Sequence, residues 1–423
     1  MSTRGRANTI RAVLEGWFTQ NGGERLLLPE LEAALSNCLS CKACASECPS
    51  NVNLPLLKAE LLQARHERHG LPLRARLISA VDLLGKLGCL APGLANALLK
   101  SETVRQLLRR GLGFDPRRPL PPYASERFDR WFEKREKLAL TPKISRIEPL
   151  NRCSRRKEAQ ISNPSKSEPP YVGCYGDHGE GDSSPRGRVI LWDDTFVRYH
   201  DPHIGRAAVR VLEAAGFEVT LLRGRVCCGR PAFSQGNLTE AARLGRHNLE
   251  LIAEQPEKLP LIFLEPSCWA MFAEDYRELK LRGATEIATR CFLFEQFIEN
   301  LLAKEPGALP LRPSQRSAVI HAHCHAKALV NPAFMARLAA RVPGSKVTLL
   351  NTGCCGMAGA FGTLQEKYDL SVLVAAPLLE QIGAQPAGTT VIASGTSCRH
   401  QIEHLSPARP LHLAEWLAAA LAG

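Results

Sequence analysis

The chain has 423 residues, 45% hydrophobic and 23% charged, with a formal net charge of +12. That is the balance of an ordinary soluble protein with room for two or three domains and a real hydrophobic core. The start, MSTRGRANTIRAVLEGWF, has no apolar run of signal-peptide type, and the most apolar stretch, LLGKLGCLAPGLANALLK, is short and broken by Lys86 and Pro92. A secreted or membrane-spanning chain is thereby disfavoured, and a cytoplasmic protein is expected. Its 15 cysteines should then be reduced, and their tight clustering suits metal ligation better than a scaffold of disulfides.

The first cluster, CLSCKACASECP, places Cys38, Cys41, Cys44 and Cys48 in a C-x2-C-x2-C-x3-C run closed by Pro49. This is the spacing by which thiolates hold a [4Fe–4S] cluster. The short gaps wrap the backbone round the inorganic core, and the proline turns the chain away. Zinc more often uses two separated C-x2-C knuckles. With only one such run present, Cys48 is expected to complete its own cluster. A remote cysteine is the alternative fourth ligand.

From Pro29 to about Lys143 the periodicity is helical, with Leu54, Leu57 and Leu61 at i, i+3 and i+7, and no convincing strand appears before residue 188. The positive excess belongs to this half: residues 1–187 hold 30 Lys/Arg against 20 Asp/Glu, and residues 188–423 hold 24 against 22. Solvated helix faces, a docking face for an acidic partner, an anionic membrane or a nucleic-acid surface would each use it. Residues 150–187 lose apolar periodicity and read as a linker. Cys153 and Cys174 within it lack the spacing of ligands.

After residue 188 strands and helices alternate, twice. The first pass carries CCGRPAFSQG and EPSC, the second HAHCHAK, GCCGMAGAFG and GTSC. Cys227 and Cys354 are 127 residues apart, and Cys268 and Cys398 are 130 apart. The expected organisation is a helical ferredoxin-like domain over 1–149, the linker over 150–187, and a duplicated parallel-sheet α/β domain. Its copies span 188–303 and 304–423, with cysteines at the carboxyl ends of strands.

In the second copy Cys324, Cys354, Cys355 and Cys398 make four soft ligands at strand ends. Adjacent cysteines demand a tight turn, and the small residues from Gly353 to Gly362 would let backbone approach a bulky inorganic group. An inert buried thiol cluster is the alternative. The first copy is depleted, because Thr195 stands where Cys324 would and leaves Cys227, Cys228 and Cys268 without a fourth partner. Strand alternation would put His321, His323 and His325 on one face and Cys324 on the other, and a packed or exposed face is the reading preferred over a zinc or substrate site. Lys327 could offset cluster charge. Cys89 and Cys291, in helical context, are read as core. Neither a P-loop nor a G-x-G-x-x-G fingerprint is present, so no flavin or nucleotide site is assigned to this chain.

These motifs together resemble the duplicated cysteine-rich CCG domain of heterodisulfide reductase subunits, of glycolate oxidase and anaerobic glycerol-3-phosphate dehydrogenase iron–sulfur subunits, and of lactate-utilisation proteins. The likeness is closest to the iron–sulfur half of fused FAD-linked D-2-hydroxyacid dehydrogenases and covers about residues 4–420. It implies an electron-transfer subunit that takes electrons from FAD on a partner chain and passes them to a quinone or other acceptor, with a further centre at the second-copy cysteines. It implies no nucleic-acid role, and a peripheral contact with the inner face of the membrane is compatible with it. Two departures stand out: a single ferredoxin run where the glycolate and glycerol-phosphate subunits carry two, and a start where the fused enzymes' flavin domain would end. A thiol–disulfide reductase acting at the C-terminal cysteines is the alternative function.

Overall fold

The computed structural model describes residues 3–14, 29–48, 52–135 and 185–422. Cys153, Cys174 and nearly all of the expected linker lie outside the described residues, as does Pro49.

Up to Lys134 every regular element described is a helix. The longest, Leu54–His69, shows how the sequence sets its limits. The Asn53 side chain accepts the Leu56 amide at 3.2 Å, Pro55 occupies the first turn, and Gly70 ends the helix at φ 79°. Leu54, Ala59 and Leu61 are buried. The other side of this helix lies directly on the α/β region: a Cβ on Gly236 would sit 2.1 Å from Cβ of Leu62.

The first sheet is built from β1 (Gly187–Trp192), β2 (Phe217–Leu221), β3 (Leu261–Phe263) and β4 (Cys291–Leu293), in the order β2-β1-β3-β4. The second holds β5 (Ser317–Ile320), β6 (Lys346–Leu349) and β7 (Thr390–Ile392), in the order β6-β5-β7. All pairings within both sheets are parallel, with Val189 opposite Val219 and Val319 opposite Val391. Val189 to Trp192 are all buried, the continuous apolar run of a strand covered on both faces. In each sheet the first strand in sequence is flanked on both sides. The chain therefore leaves its carboxyl end at a point where the strand order reverses, the place where open α/β sheets as a class seat their ligands.

One apolar core runs through both sheets, and the C-terminal helix Leu413–Ala418 packs on helix Pro202–Ala214 of the first. A buried polar seam fixes the two together. Glu265 accepts the Thr396 amide at 2.7 Å, and the Arg399 guanidinium donates to Asp201 at 3.0 Å and to the Ser394 carbonyl at 2.6 Å. Among the described residues no helix is long and apolar enough to cross a membrane.

Two local expectations are corrected. Cys291 heads β4 rather than lying in a helix, although it is buried as expected. Two of the glycines after Cys355 serve packing: a Cβ on Gly356 (φ 84°) would meet the Ser371 carbonyl at 2.2 Å, and one on Gly362 the Ser371 hydroxyl at 2.6 Å. That space is filled by helix Tyr368–Gly383, whereas a Cβ on Gly353 or Gly359 would meet nothing within 4 Å.

Candidate metal centre

The four-thiol run forms a loop without regular structure up to Lys42, then the short helix Ala43–Glu47, with Cys48 as its C-cap. Ser40 and Lys42 both take positive φ, 52° and 62°. Such alternation bends the chain tightly round a centre and turns successive amides to one side. Cys38 is buried and the other three are partly exposed. Burial, then the charge Cys324 would carry, pushes the Cys41 thiol up to about 11. Burial also raises Cys44, with Cys38 and Cys41 adding to it. These three sulfurs therefore share one locality, and Cys324 belongs to it.

The loop is pinned from both sides. Lys42, fully buried, pairs with Asp275 at 2.7 Å and with Glu274, and Asp275 also takes the guanidinium of Arg230, two residues after Cys228. On the other side the His325 ring bonds the Ser40 carbonyl at 2.9 Å. Helix Ala43–Glu47 packs on helix Cys324–Leu329, which also packs on helix Pro266–Ala270 carrying Cys268.

In the second α/β region the sulfurs form a chain of contacts from Cys324 to Cys354, Cys355 and Cys398. Hydrogen bonding to Cys354 and burial hold Cys324 well above the thiol range. Cys355 is also raised: its contact with Cys354 lowers it, but Cys398 and burial outweigh that. The Lys327 ammonium donates to the carbonyls of Thr352 and, at 2.9 Å, Gly353, fixing the chain just ahead of the cysteine pair.

The histidines do not follow strand alternation. β5 ends at Ile320 and a helix begins at Cys324, so residues 321–323 turn the corner and each ring has a separate task. His323 is the N-cap, its Nδ1 accepting the His325 amide at 3.1 Å, and its ring fills the space left by Gly395. His325 reaches the four-thiol loop. His321, wholly buried, places a ring nitrogen within 4.8 Å of both the Cys355 and Cys398 sulfurs.

In the first α/β region Cys228 and Cys268 lie Sγ to Sγ at 3.0 Å, and Cys227 contacts Cys228. The Cys228 contact lowers Cys268, but burial outweighs it and raises this thiol to about 11. Thr195 opens a helix as Cys324 does, with Asp194 as N-cap in the role of His323. Asp194 Oδ2 is buried without a partner, and burial followed by repulsion from Glu265 pushes this carboxyl up to about 7. Asn248 clamps the cysteine turn, accepting the Val226 amide at 3.0 Å and donating to the Cys227 carbonyl at 3.1 Å. Tyr276 donates to the Cys228 carbonyl at 2.7 Å. Sequence reasoning missed these supports, although Asn248 could have been noticed as a polar residue on the apolar stripe of Ala241, Leu244 and Ile252. Cys89 and Cys291 stand apart, donating to the carbonyls of Tyr199 and Ile287.

The donor set fits iron–sulfur chemistry: soft sulfurs in buried turns, disfavoured as bare thiolates and in need of a cationic core. The Cys38 loop and the Cys324 set would each hold such a group, which when bound supplies one-electron transfer.

Comparison with known proteins places these features. The family model for the cysteine-rich domain CCG matches residues 195–273, in the first α/β region, where Thr195 rather than a cysteine opens the helix. One subunit of the anaerobic glycerol-3-phosphate dehydrogenase from Escherichia coli K12 is 29% identical over 368 residues, covering 85% of this chain and 80% of the relative. D-2-hydroxyglutarate dehydrogenase from the same strain is 24% identical over 400 residues, 94% of this chain but 35% of that protein, so the chain spans about a third of this longer relative. Lactate utilization protein A from Bacillus velezensis is 30% identical over 183 residues, covering 41% of this chain and 74% of the relative. The chain thus belongs to the CCG cysteine-rich-domain family, among the iron–sulfur subunits of dehydrogenases.

Proposed function

We propose that the chain is the electron-transfer subunit of an FAD-linked 2-hydroxyacid dehydrogenase, acting on D-lactate, glycolate or D-2-hydroxyglutarate, with the flavin on a partner chain and a quinone or similar acceptor beyond it. The observation that carries this is the meeting of the two cysteine sets, with Cys41 close enough to Cys324 for charge on one to shift the other. Cys38, Cys41, Cys44 and Cys48 would hold a [4Fe–4S] cluster, and Cys324, Cys354, Cys355 and Cys398 a second centre. Cys227, Cys228 and Cys268 are left as an incomplete third set. The similar strand orders and the matching helix starts at Thr195 and Cys324 support an internal duplication behind this arrangement.

The protein's own work is to hold the sulfurs, exclude water and fix the loop between the two α/β regions, the levers by which a protein sets a potential. The raised, buried thiols weigh against a metal-free thiol–disulfide reductase, which needs an accessible thiolate.

Leu83, Leu87, Leu90, Leu94 and Leu98 recur at helical spacing on helices Val81–Gly88 and Pro92–Lys100, each about half exposed or more, with Lys86 and Lys100 exposed beside them. An apolar stripe rimmed by cations suits a peripheral contact with an anionic membrane.

The test is iron and acid-labile sulfide per chain on protein purified without oxygen. About eight of each supports two centres, whereas about four leaves the C-terminal half as scaffold. A colourless, iron-free protein defeats the proposal.

A further inference from the structure

His321 is the histidine that meets the sulfurs of Cys355 and Cys398. Its Nδ1 lies 2.7 Å from the Thr352 hydroxyl, which fixes the ring, while Nε2 is buried with no hydrogen-bond partner. A wholly buried polar atom is rarely left unpartnered, because the lost hydration is then not replaced. Here a ring nitrogen stands within 4.8 Å of the sulfurs of Cys355 and Cys398.

The ring is also held ready as a ligand. The Thr352 hydroxyl fixes the buried ring, and with the Nδ1 proton donated to it the lone pair is on Nε2. This is the arrangement of metal-bound histidines, whose second nitrogen donates to a fixed oxygen. Thr352 is itself held, because its carbonyl takes the Lys327 ammonium two residues before Cys354. Of the other two histidines, His323 spends Nδ1 on the helix cap, and His325 bonds the Ser40 carbonyl through Nε2; its Nδ1 is also buried without a partner, but His321 is the ring grouped with the Cys355 and Cys398 sulfurs.

We propose that His321 Nε2 binds a metal of the second centre alongside Cys355 and Cys398, making its ligand set mixed nitrogen and thiolate while that of the N-terminal centre is all thiolate. The proposal rests on the reading of the second cysteine set as a cluster site. A neutral imidazole brings no negative charge to the metal it binds, so the centre's potential lies above that of one holding a thiolate at the same position. The chain would then carry two chemically unlike stations side by side, with the nitrogen-ligated one the better electron acceptor.

The experiment uses full-length protein purified without oxygen and grown with 15N-histidine or with natural histidine, reduced and examined by pulsed EPR. A strong nitrogen coupling that changes with the isotope, and that disappears in His321→Ala, is the expected result. His321→Cys should keep its iron, lose the coupling and shift one reduction potential downward. Iron content that Cys355→Ser leaves unchanged would overturn the cluster reading and the proposal with it. Iron that depends on Cys355, with no histidine-nitrogen coupling in the wild type, would overturn the proposal alone.

Discussion

Replacing Lys42 by Met should loosen the four-thiol loop from the body of the protein by a calculable amount. The Lys42 side chain is fully buried and pairs with Asp275, which is also fully buried, and with Glu274, whose side chain is 24% exposed. Removing one partner of a buried pair costs about 3–5 kcal/mol, because the other charge is stranded. Asp275 would keep Arg230, so the lower end, about 3 kcal/mol, applies here. At about 1.4 kcal/mol per decade, that is roughly a hundredfold in the equilibrium for opening the loop. Hydrogen exchange of amides 40–48 reads this directly, and those of 324–329, packed against the same helix, should follow. Glu274→Gln is the internal comparison: its carboxylate is partly solvated, so the change should cost at most about 1 kcal/mol. If Lys42→Met exchanges no faster than Glu274→Gln, the buried pair does not hold the loop and the reasoning fails.

Three further outcomes follow from the same geometry. Thiols raised to about 11, such as Cys41 and Cys268, bind protons in the folded chain that the unfolded chain releases from about pH 8.5. The metal-free protein should therefore be most stable below that pH and lose thermal midpoint as pH rises towards 11, and a flat profile would contradict this. Gly395→Ala would put a methyl 2.2 Å from His323, the cap of the Cys324 helix, and overpacking of that kind costs about 1–3 kcal/mol. Gly353→Ala meets nothing within 4 Å and should stay within about 0.5 kcal/mol, so equal thermal shifts would refute the distinction. Cys89→Ala and Cys291→Ala should each cost about 1 kcal/mol and leave iron per chain unchanged. A loss of iron in either would make it a ligand after all.

The N-terminal loop was legible in sequence as a candidate site because its cysteines are local: four thiols within eleven residues declare themselves by spacing. The C-terminal set was legible through the repeated placing of cysteines after apolar runs. What lay beyond reach was long-range. Lys42 and Asp275 are 233 positions apart, Ser40 and His325 are 285 apart, and no local pattern marks any of them as partners. His321 was misplaced for a different reason. HAHCHAK alternates as a strand would, but the sheet ends at Ile320 and helix capping by His323 takes over, which rotates each following side chain away from a period of two. The glycines after Cys355 show the converse error, since a small residue marks close approach without saying what approaches.

The two α/β regions show what one altered ligand position can be used for. Each has a strand, a capped corner and a short helix, but Cys324 offers sulfur where Thr195 offers a hydroxyl. That hydroxyl donates to Asp82 at 2.8 Å, and Asp82 also pairs with Arg225, a fully buried guanidinium that reaches Asp193 at 3.2 Å. Asp82 belongs to helix Val81–Gly88, which lies so close to the first region that a Cβ on Gly85 would sit 2.5 Å from the Tyr199 ring. The corner that presents the Cys324 sulfur in the second region is, in the first, committed to seating the helix that carries Leu83 and Leu87 on its exposed side. The family match to residues 195–273 agrees with this, because it falls on the region without Cys324's counterpart. The strand, turn and helix frame is thus common to both regions, whether its corner presents a sulfur or seats a neighbouring helix.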